Sequence, residues 1–259
     1  MNMSWTKIVE LKTPPIKDVI LVQGLPGLGL VGKIAVDYII TEKKLKKFAE
    51  LYSNNLMLPD GKAGVIVNLY GVQELPRYEF FYLKNSTNDM VFVSGNTQPV
   101  SWAQYEIAEK VLEYLESKYG LRMVIAVCGT IARGMEGDVY IAANDEKLLA
   151  EYAKKYNLRV SSEGTITGAC GLLPGLAKLH GIKGLSLMGA VGQIYPDPLA
   201  AKSVLLILDK ILSLNIDYHR LDLIIEDIKK RAKALQRLQE KEPARPREEP
   251  GERLPWYYV

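Results

Sequence analysis

Residues 18–40, DVILVQGLPGLGLVGKIAVDYII, constrain the fold more than any other stretch of the chain. An apolar strand runs into a glycine-rich turn and then directly into an amphipathic helix, the opening unit of an α/β fold. Gly27, Gly29 and Gly32 satisfy G-x-G-x-x-G, the dinucleotide fingerprint. Gly27, Gly32 and Lys33 also satisfy most of a P-loop, but Ile34 stands where Ser or Thr must bind magnesium. One turn cannot be both.

Glycine supplies positive φ and lets backbone approach backbone with no β-carbon between. The helix that follows presents free N–H groups and a partial positive charge, which accept a phosphate, a carboxylate or a neighbouring carbonyl. The dinucleotide reading gains from Glu50, placed ~20 residues on, where an acid takes a ribose hydroxyl. Pro26, which stiffens the turn, and the ill-defined strand pattern of KKFAELYSNN around Glu50 count against it. The other reading is close packing of helix on sheet with no ligand at all. The residues alone leave both open.

With 259 residues, 48% of them hydrophobic, the chain can bury a large core in one α/β domain or in a domain plus an appendage. A net charge of +3, with acids and bases nearly balanced, gives no electrostatic case for nucleic acid. The two cysteines, Cys128 ending an apolar run and Cys170 in a glycine-rich segment, read as small core residues. No paired Cys/His spacing suggests zinc, and no cofactor is implied. The N-terminus lacks a signal pattern and no apolar run approaches the ~20 residues of a membrane span, so a reduced, cytoplasmic protein is expected.

Strand-like and helix-like runs alternate along the chain. Strands are expected over 19–22, 64–69, 78–83, 90–94, 123–128, 159–162 and 185–190. Helices are expected over 30–40, 102–119 stopped by Gly120, 144–155 capped by Asn144, and 198–214 capped near Asp197, with a glycine-rich turn feeding another over 166–180. The continuous apolar run 123–128 suits a sheet buried on both faces. These elements predict a three-layer α/β sandwich with a mixed, largely parallel sheet over residues 1–216. Residues 217–240 read as an amphipathic helix with Leu221, Ile224, Ile225, Ile228, Leu235 and Leu238 on one face, suited to packing on the domain or to a short coiled-coil seam. Residues 241–259 begin as a Pro-, Glu- and Arg-rich tether with little to bury. They end in Trp256-Tyr257-Tyr258-Val259, an aromatic cluster that needs something to receive it.

Catalytic groups are sparse. His180, in a Leu-His-Gly context, reads as part of a helix C-cap, and His219 as the start of the last helix. Asp197, between two prolines, reads as a turn and N-cap. Arg133, Glu136 and Asp138 follow one strand, and Asn96, Thr97 and Gln98 another, at positions where α/β folds place ligands. No Ser/His/Asp arrangement or nucleophile elbow accompanies them.

The turn Gly24-Leu25-Pro26-Gly27-Leu28-Gly29-Leu30-Val31-Gly32 resembles the N-terminal signature of the proteasome assembly chaperone family in its archaeal branch. Three further blocks agree in order and spacing. They are Gly95-Asn96-Thr97-Gln98-Pro99 before the 105–115 helix, Gly164-Thr165-Ile166-Thr167-Gly168 leading to Gly171-Leu172-Leu173, and Pro196-Asp197-Pro198-Leu199-Ala200-Ala201-Lys202. The resemblance covers residues 7–233 and implies a fold related to the purine nucleoside phosphorylases without their catalytic groups. It also implies a homo-oligomeric, non-enzymatic protein that engages the α-subunit ring of the proteasome core particle. On that reading Gly24, Gly27, Gly29 and Gly32 are structural, and the spoiled P-loop at Ile34 agrees. Proteasome-binding proteins commonly end in a hydrophobic residue, a tyrosine and any last residue, here Tyr257-Tyr258-Val259.

The expected mechanism is docking of Tyr257, Tyr258 and Val259, with Trp256 beside them, between α-subunits. Several weak tails on one oligomer gain avidity. A tail that captures a related chaperone subunit, and an enzyme or sensor holding a nucleotide at residues 27–33, are the alternatives.

Overall fold

The computed structural model describes residues 4–132, 134–192 and 195–241. Contacts divide the chain into two units, Met1–Asp217 and Tyr218–Val259. The first unit runs β1 (Thr6–Glu10), β2 (Ile20–Gly24), α1 (Val31–Glu42), β3 (Lys46–Ser53), β4 (Ile66–Val67), β5 (Gln73–Glu74), β6 (Tyr78–Leu83) and β7 (Met90–Gly95). It continues with α2 (Gln104–Tyr119), β8 (Met123–Ile131), β9 (Val139–Ala143), α3 (Glu146–Tyr156), β10 (Arg159–Val160), α4 (Ala169–Ala177), β11 (Lys183–Val191) and α5 (Pro198–Leu212). The second unit contributes α6 (His219–Lys241).

Nine strands form one sheet in the order β1-β3-β6-β7-β2-β8-β11-β9-β10. The four central strands, β7, β2, β8 and β11, are parallel. On one side of them β6, β3 and β1 join antiparallel, and on the other β9 runs antiparallel to β11. Helices cover both faces. A β-carbon on Gly184 would meet Pro174 of α4, while one on Gly189 would meet Ala200 of α5. Five residues apart on one strand, these two positions point to opposite faces. The expected sandwich with a mixed sheet around a parallel centre is therefore the fold observed.

The core between the sheet and α2 is aromatic. Phe48, Phe80, Tyr114 and Tyr119 close a ring of edge-to-face contacts with centroids 5.7–6.1 Å apart, the geometry that the ring quadrupoles favour. Phe48 and Phe80 are fully buried. Phe48 lies on β3 and Phe80 on its neighbour β6. Strand β3 is a full member of the sheet although its sequence alternates weakly, because a bulge between Lys47 and Ala49 shifts its register. The strands β1 and β9 have equally little apolar run to announce them, and they form because neighbours supply the ladder.

Several expectations need correction. Residues 64–69 contribute only β4, which pairs with β5 in a separate two-stranded sheet. Helix α3 is capped by Asp145, whose side chain accepts from Leu148 N at 2.8 Å. Asn144 instead bridges to the carbonyls of Pro174 and Ile182 and accepts from Gly184 N. Cys128 and Cys170 are not separate core thiols. They form a disulfide that ties β8 to α4 across 42 residues of sequence, and this removes cysteine usage as an argument for a reduced protein. α6 carries Asp222 in its first turn, opposite the helix dipole, and an Asp227–Arg231 pair at 2.8 Å. The side chains of Leu235 and Leu238, expected on its apolar stripe, lie outside the described residues. No helix among the described residues is long and apolar enough to cross a membrane.

Two predictions follow from the ties between elements. Closing a loop of this length removes about 4 kcal/mol of chain entropy from the unfolded state. The Cys128→Ala/Cys170→Ala variant is therefore expected to unfold at lower denaturant, by up to that amount. Alkylation without reductant should label no cysteine in the parent.

His180 lies between two carboxylates of α2, with Nε2 2.7 Å from Glu109 and Nδ1 2.7 Å from Glu116. The bond with Glu109, then that with Glu116, raises its pKa above 6.5, against a smaller desolvation that lowers it. A group whose folded pKa is raised contributes fully below its unfolded value and loses that contribution as pH rises through the folded one. Stability of the parent toward urea should thus fall as pH climbs above about 6.5, and His180→Gln should remove that part of the slope.

Candidate functional site

Helix α1 enters the fold over the carboxyl ends of the parallel strands, the end where open α/β sheets bind ligands. The glycines of the turn decide how closely it approaches. A β-carbon on Gly24 would stand 2.2 Å from Gly32 O, and one on Gly32 would stand 2.0 Å from Val127 O. Neither space exists, so β2, α1 and β8 meet backbone to backbone. Gly29 has φ 62° and faces both methyls of Val191. Gly27 has extended backbone, and the nearest atom to an added β-carbon would be Gln98 Nε2 at 3.7 Å.

The polar groups of the turn are spent inside the protein. Leu30 N donates to Gly27 O at 2.9 Å, and Val31 N donates to Leu28 O. Gln98 donates to Pro26 O at 2.5 Å and accepts from Ala169 N at 3.3 Å, linking the turn to the start of α4. Asp197 N donates to Gly29 O at 2.8 Å. The buried Asp197 carboxylate takes Ala200 N at 2.9 Å and Gly192 N at 2.7 Å, so it is the expected N-cap of α5 and also fastens the preceding loop.

Lys33, the would-be P-loop lysine, pairs with Asp37 at 2.7 Å, one turn into the helix. Asp37 in turn accepts from Ser94 Oγ at 2.5 Å. Leu28 O lies where a β-carbon on Gly129 would be only 2.5 Å away, so the turn itself covers the end of β8.

Glu50 does not reach this site. Strands β6 and β7 separate its strand β3 from β2, about 14 Å across the sheet at ~4.8 Å per strand. Its carboxylate bonds Lys47 at 2.5 Å, Tyr52 at 2.8 Å and Arg77 at 3.3 Å. Burial works to raise its pKa, but the hydrogen bonds from Lys47 and Tyr52 and the Lys47 and Arg77 charges outweigh it and hold the carboxylate below its ordinary range. The ribose-binding role suggested by spacing is thereby excluded.

The other candidates are also engaged. Asn96 accepts from Arg77 N at 3.1 Å, and Thr97 Oγ1 donates to Gln98 O at 3.2 Å. Asp138 pairs with Arg159 at 2.6 Å. Among the described residues, no three His, Cys, Asp or Glu side chains gather into a metal site. Arg133 and the tail residues Trp256, Tyr257, Tyr258 and Val259 lie outside the described residues. What sequence reasoning missed is apolar: Leu28 on the turn, Ile131 at the end of β8, Met135 and Tyr195 in loops and Leu199 in the first turn of α5 all stand exposed. Apolar letters at the ends of elements and in loops were the available signal.

The geometry is that of a turn closed by its own packing. The model of the PAC2 family matches residues 21–239. The chain belongs to the PAC2 family. An uncharacterized protein of Methanocaldococcus jannaschii is 32% identical over 245 residues, covering 92% of this chain and 90% of the relative. Among solved structures, Pyrococcus furiosus PbaB, described as an archaeal proteasome activator, is 36% identical. It superposes with a TM-score of 0.80, covering 90% of this chain and 98% of PbaB. PbaA of the same organism, described as an archaeal homolog of proteasome-assembly chaperone, shares the fold at 24% identity and a TM-score of 0.75, covering 91% of this chain and 93% of PbaA.

The two ends of the turn make opposite predictions for this PAC2 protein. Gly32→Ala must push α1 off β8 and is expected to cost at least about 3 kcal/mol in urea unfolding, the upper range for overpacking. Gly27→Ala makes only an ordinary contact with Gln98 and should change stability by less than about 1 kcal/mol.

Proposed function

We propose that this protein is a proteasome-binding factor that acts by association rather than catalysis, engaging the α-subunit ring of the core particle through Tyr257-Tyr258-Val259. The observation that carries the reading is the 36% identity to a proteasome activator over nearly its whole length. The site geometry supports it. Two amides of the turn that could have held a nucleotide, those of Leu30 and Val31, donate to its own carbonyls, and its lysine is paired with Asp37. The family model matches residues 21–239, and the Pro-, Glu- and Arg-rich segment with its aromatic end follows that match in the sequence.

The physical mechanism follows from the chemistry of the last residues. A terminal carboxylate pairs with a lysine in an inter-subunit pocket, and the penultimate tyrosine buries a flat ring while its hydroxyl meets a polar group. One such tail binds weakly. A homo-oligomer that displays several raises their effective concentration, and a tether of Pro, Glu and Arg lets tails reach pockets whose symmetry differs from that of the body.

Deleting residues 257–259 is expected to lower α-ring affinity at least about tenfold, a loss of ~1.4 kcal/mol, with the melting temperature unchanged. Surface plasmon resonance on immobilised core particle reads the first and calorimetry the second. Unchanged binding removes the tail from the mechanism. Retained capture of a related chaperone subunit, with no α-ring binding by the full chain, assigns the tail to that partner. A rise in peptide hydrolysis by the core particle marks gate opening, and its absence marks assembly.

A further inference from the structure

The two-stranded sheet of β4 and β5 projects an unusually apolar arm. Val65, Val67, Leu69, Tyr70, Val72 and Leu75 are all exposed, Leu69 at 101% and Tyr70 at 89%. Such side chains at the tip of a short hairpin cost solubility unless a surface receives them. The arm is nonetheless built to hold its shape. Asn68 Oδ1 accepts from Tyr70 N at 2.9 Å and from Val72 N at 3.1 Å, and its Nδ2 donates to Glu74 at 2.6 Å. Gly71, at φ 77°, closes the turn. Glu74 then pairs with Arg77 at 2.8 Å, fixing the base.

At that base lies a groove of about 520 Å³ lined by Trp5, Lys7, Glu50, Tyr52, Leu75 and Arg77, with Gln73 and Glu74. Trp5 and Leu75 give it apolar walls, both about half exposed. The Glu50–Arg77–Lys47 cluster gives it a polar floor. This matches the chemistry of the tip: Leu69 suits the apolar walls, and Tyr70 offers a ring with a hydroxyl for the floor. The tip does not fill its own groove: Leu69 and Tyr70 stand exposed, and the bonds of Asn68 to Tyr70 N and Val72 N hold the turn in that position.

We propose that the arm joins two copies of this chain, Leu69 and Tyr70 of each seated in the groove of the other. Two arms lying side by side and antiparallel bring each tip to the other's base, as a two-fold axis requires. That placement also sets one outer edge of the β4–β5 sheet against the same edge of the other copy, an edge with no ladder partner among the described residues. The six exposed side chains carry on the order of 600 Å² of apolar surface, close to one partner's ~800 Å² share of a standard interface. The proposal deepens the functional reading above, for which it supplies the contact that gathers the tails.

Native mass spectrometry of the full chain tests it. The parent is expected to assemble, and Leu69→Asp/Tyr70→Ser to lower the mass at least two-fold at the same concentration, with circular dichroism and melting temperature unchanged. As a second measurement, a Tyr70→Cys chain mixed with a Lys7→Cys chain should give a covalent pair under mild oxidation that neither chain gives alone. A monomeric parent, a double variant that keeps the parent mass, or a mixture without the cross-link overturns the proposal. So does a double variant that loses α-ring binding at unchanged mass, since the arm then serves the ring. Tail deletion reads α-ring affinity without altering mass, so the two proposals fail separately.

Discussion

The backbone contact of Gly32 with Val127 is the constraint on which the rest of this molecule depends. It lets α1 lie directly on β2 and β8, with Gly24 on the strand side making the same allowance. Once the helix is that close, the turn before it has only one place to go, down onto the end of β8 at Gly129. The Leu30 and Val31 amides then bond within the turn, and the Pro26 and Gly29 carbonyls are taken by Gln98 and Asp197. Packing thus uses part of the polar surface that a helix N-terminus elsewhere offers to phosphate.

The same closure ties distant segments together. Gln98 after β7, Ala169 at the start of α4 and Asp197 before α5 all converge on the glycine turn. On the other face of the sheet the Cys128–Cys170 bridge fastens α4 to β8, and His180 fastens the segment after α4 to α2. The body is thus cross-braced at both ends of α4. The apolar loops around Leu28 and Ile131 and the arm at Leu69 and Tyr70 are where it offers itself.

Motif spacing misled most where it ignored sheet order. Glu50 stands at the sequence distance of a ribose-binding acid, yet two strands intervene between β3 and β2. Its partners, Lys47 and Arg77, belong to an ionic cluster on an open sheet face. Lys33 likewise sits at the P-loop position but answers Asp37, one helical turn away. In both cases a local pairing that the sequence permits takes the charge the motif would have used.

The sequence by itself determined the alternation of strands and helices, the parallel centre signalled by the apolar runs at 123–128 and 185–190, the cap at Asp197 and the family. These depend on periodicity, caps and ordered blocks of residues, all local or linear properties. Only the tertiary structure decided that the glycines serve packing, that the two cysteines meet, that β1, β3 and β9 join the sheet, and that residues 65–75 stand clear of it. Each of these is a relation between segments far apart in the chain. Its outcome rests on a few ångströms of approach, which no pattern along the chain records.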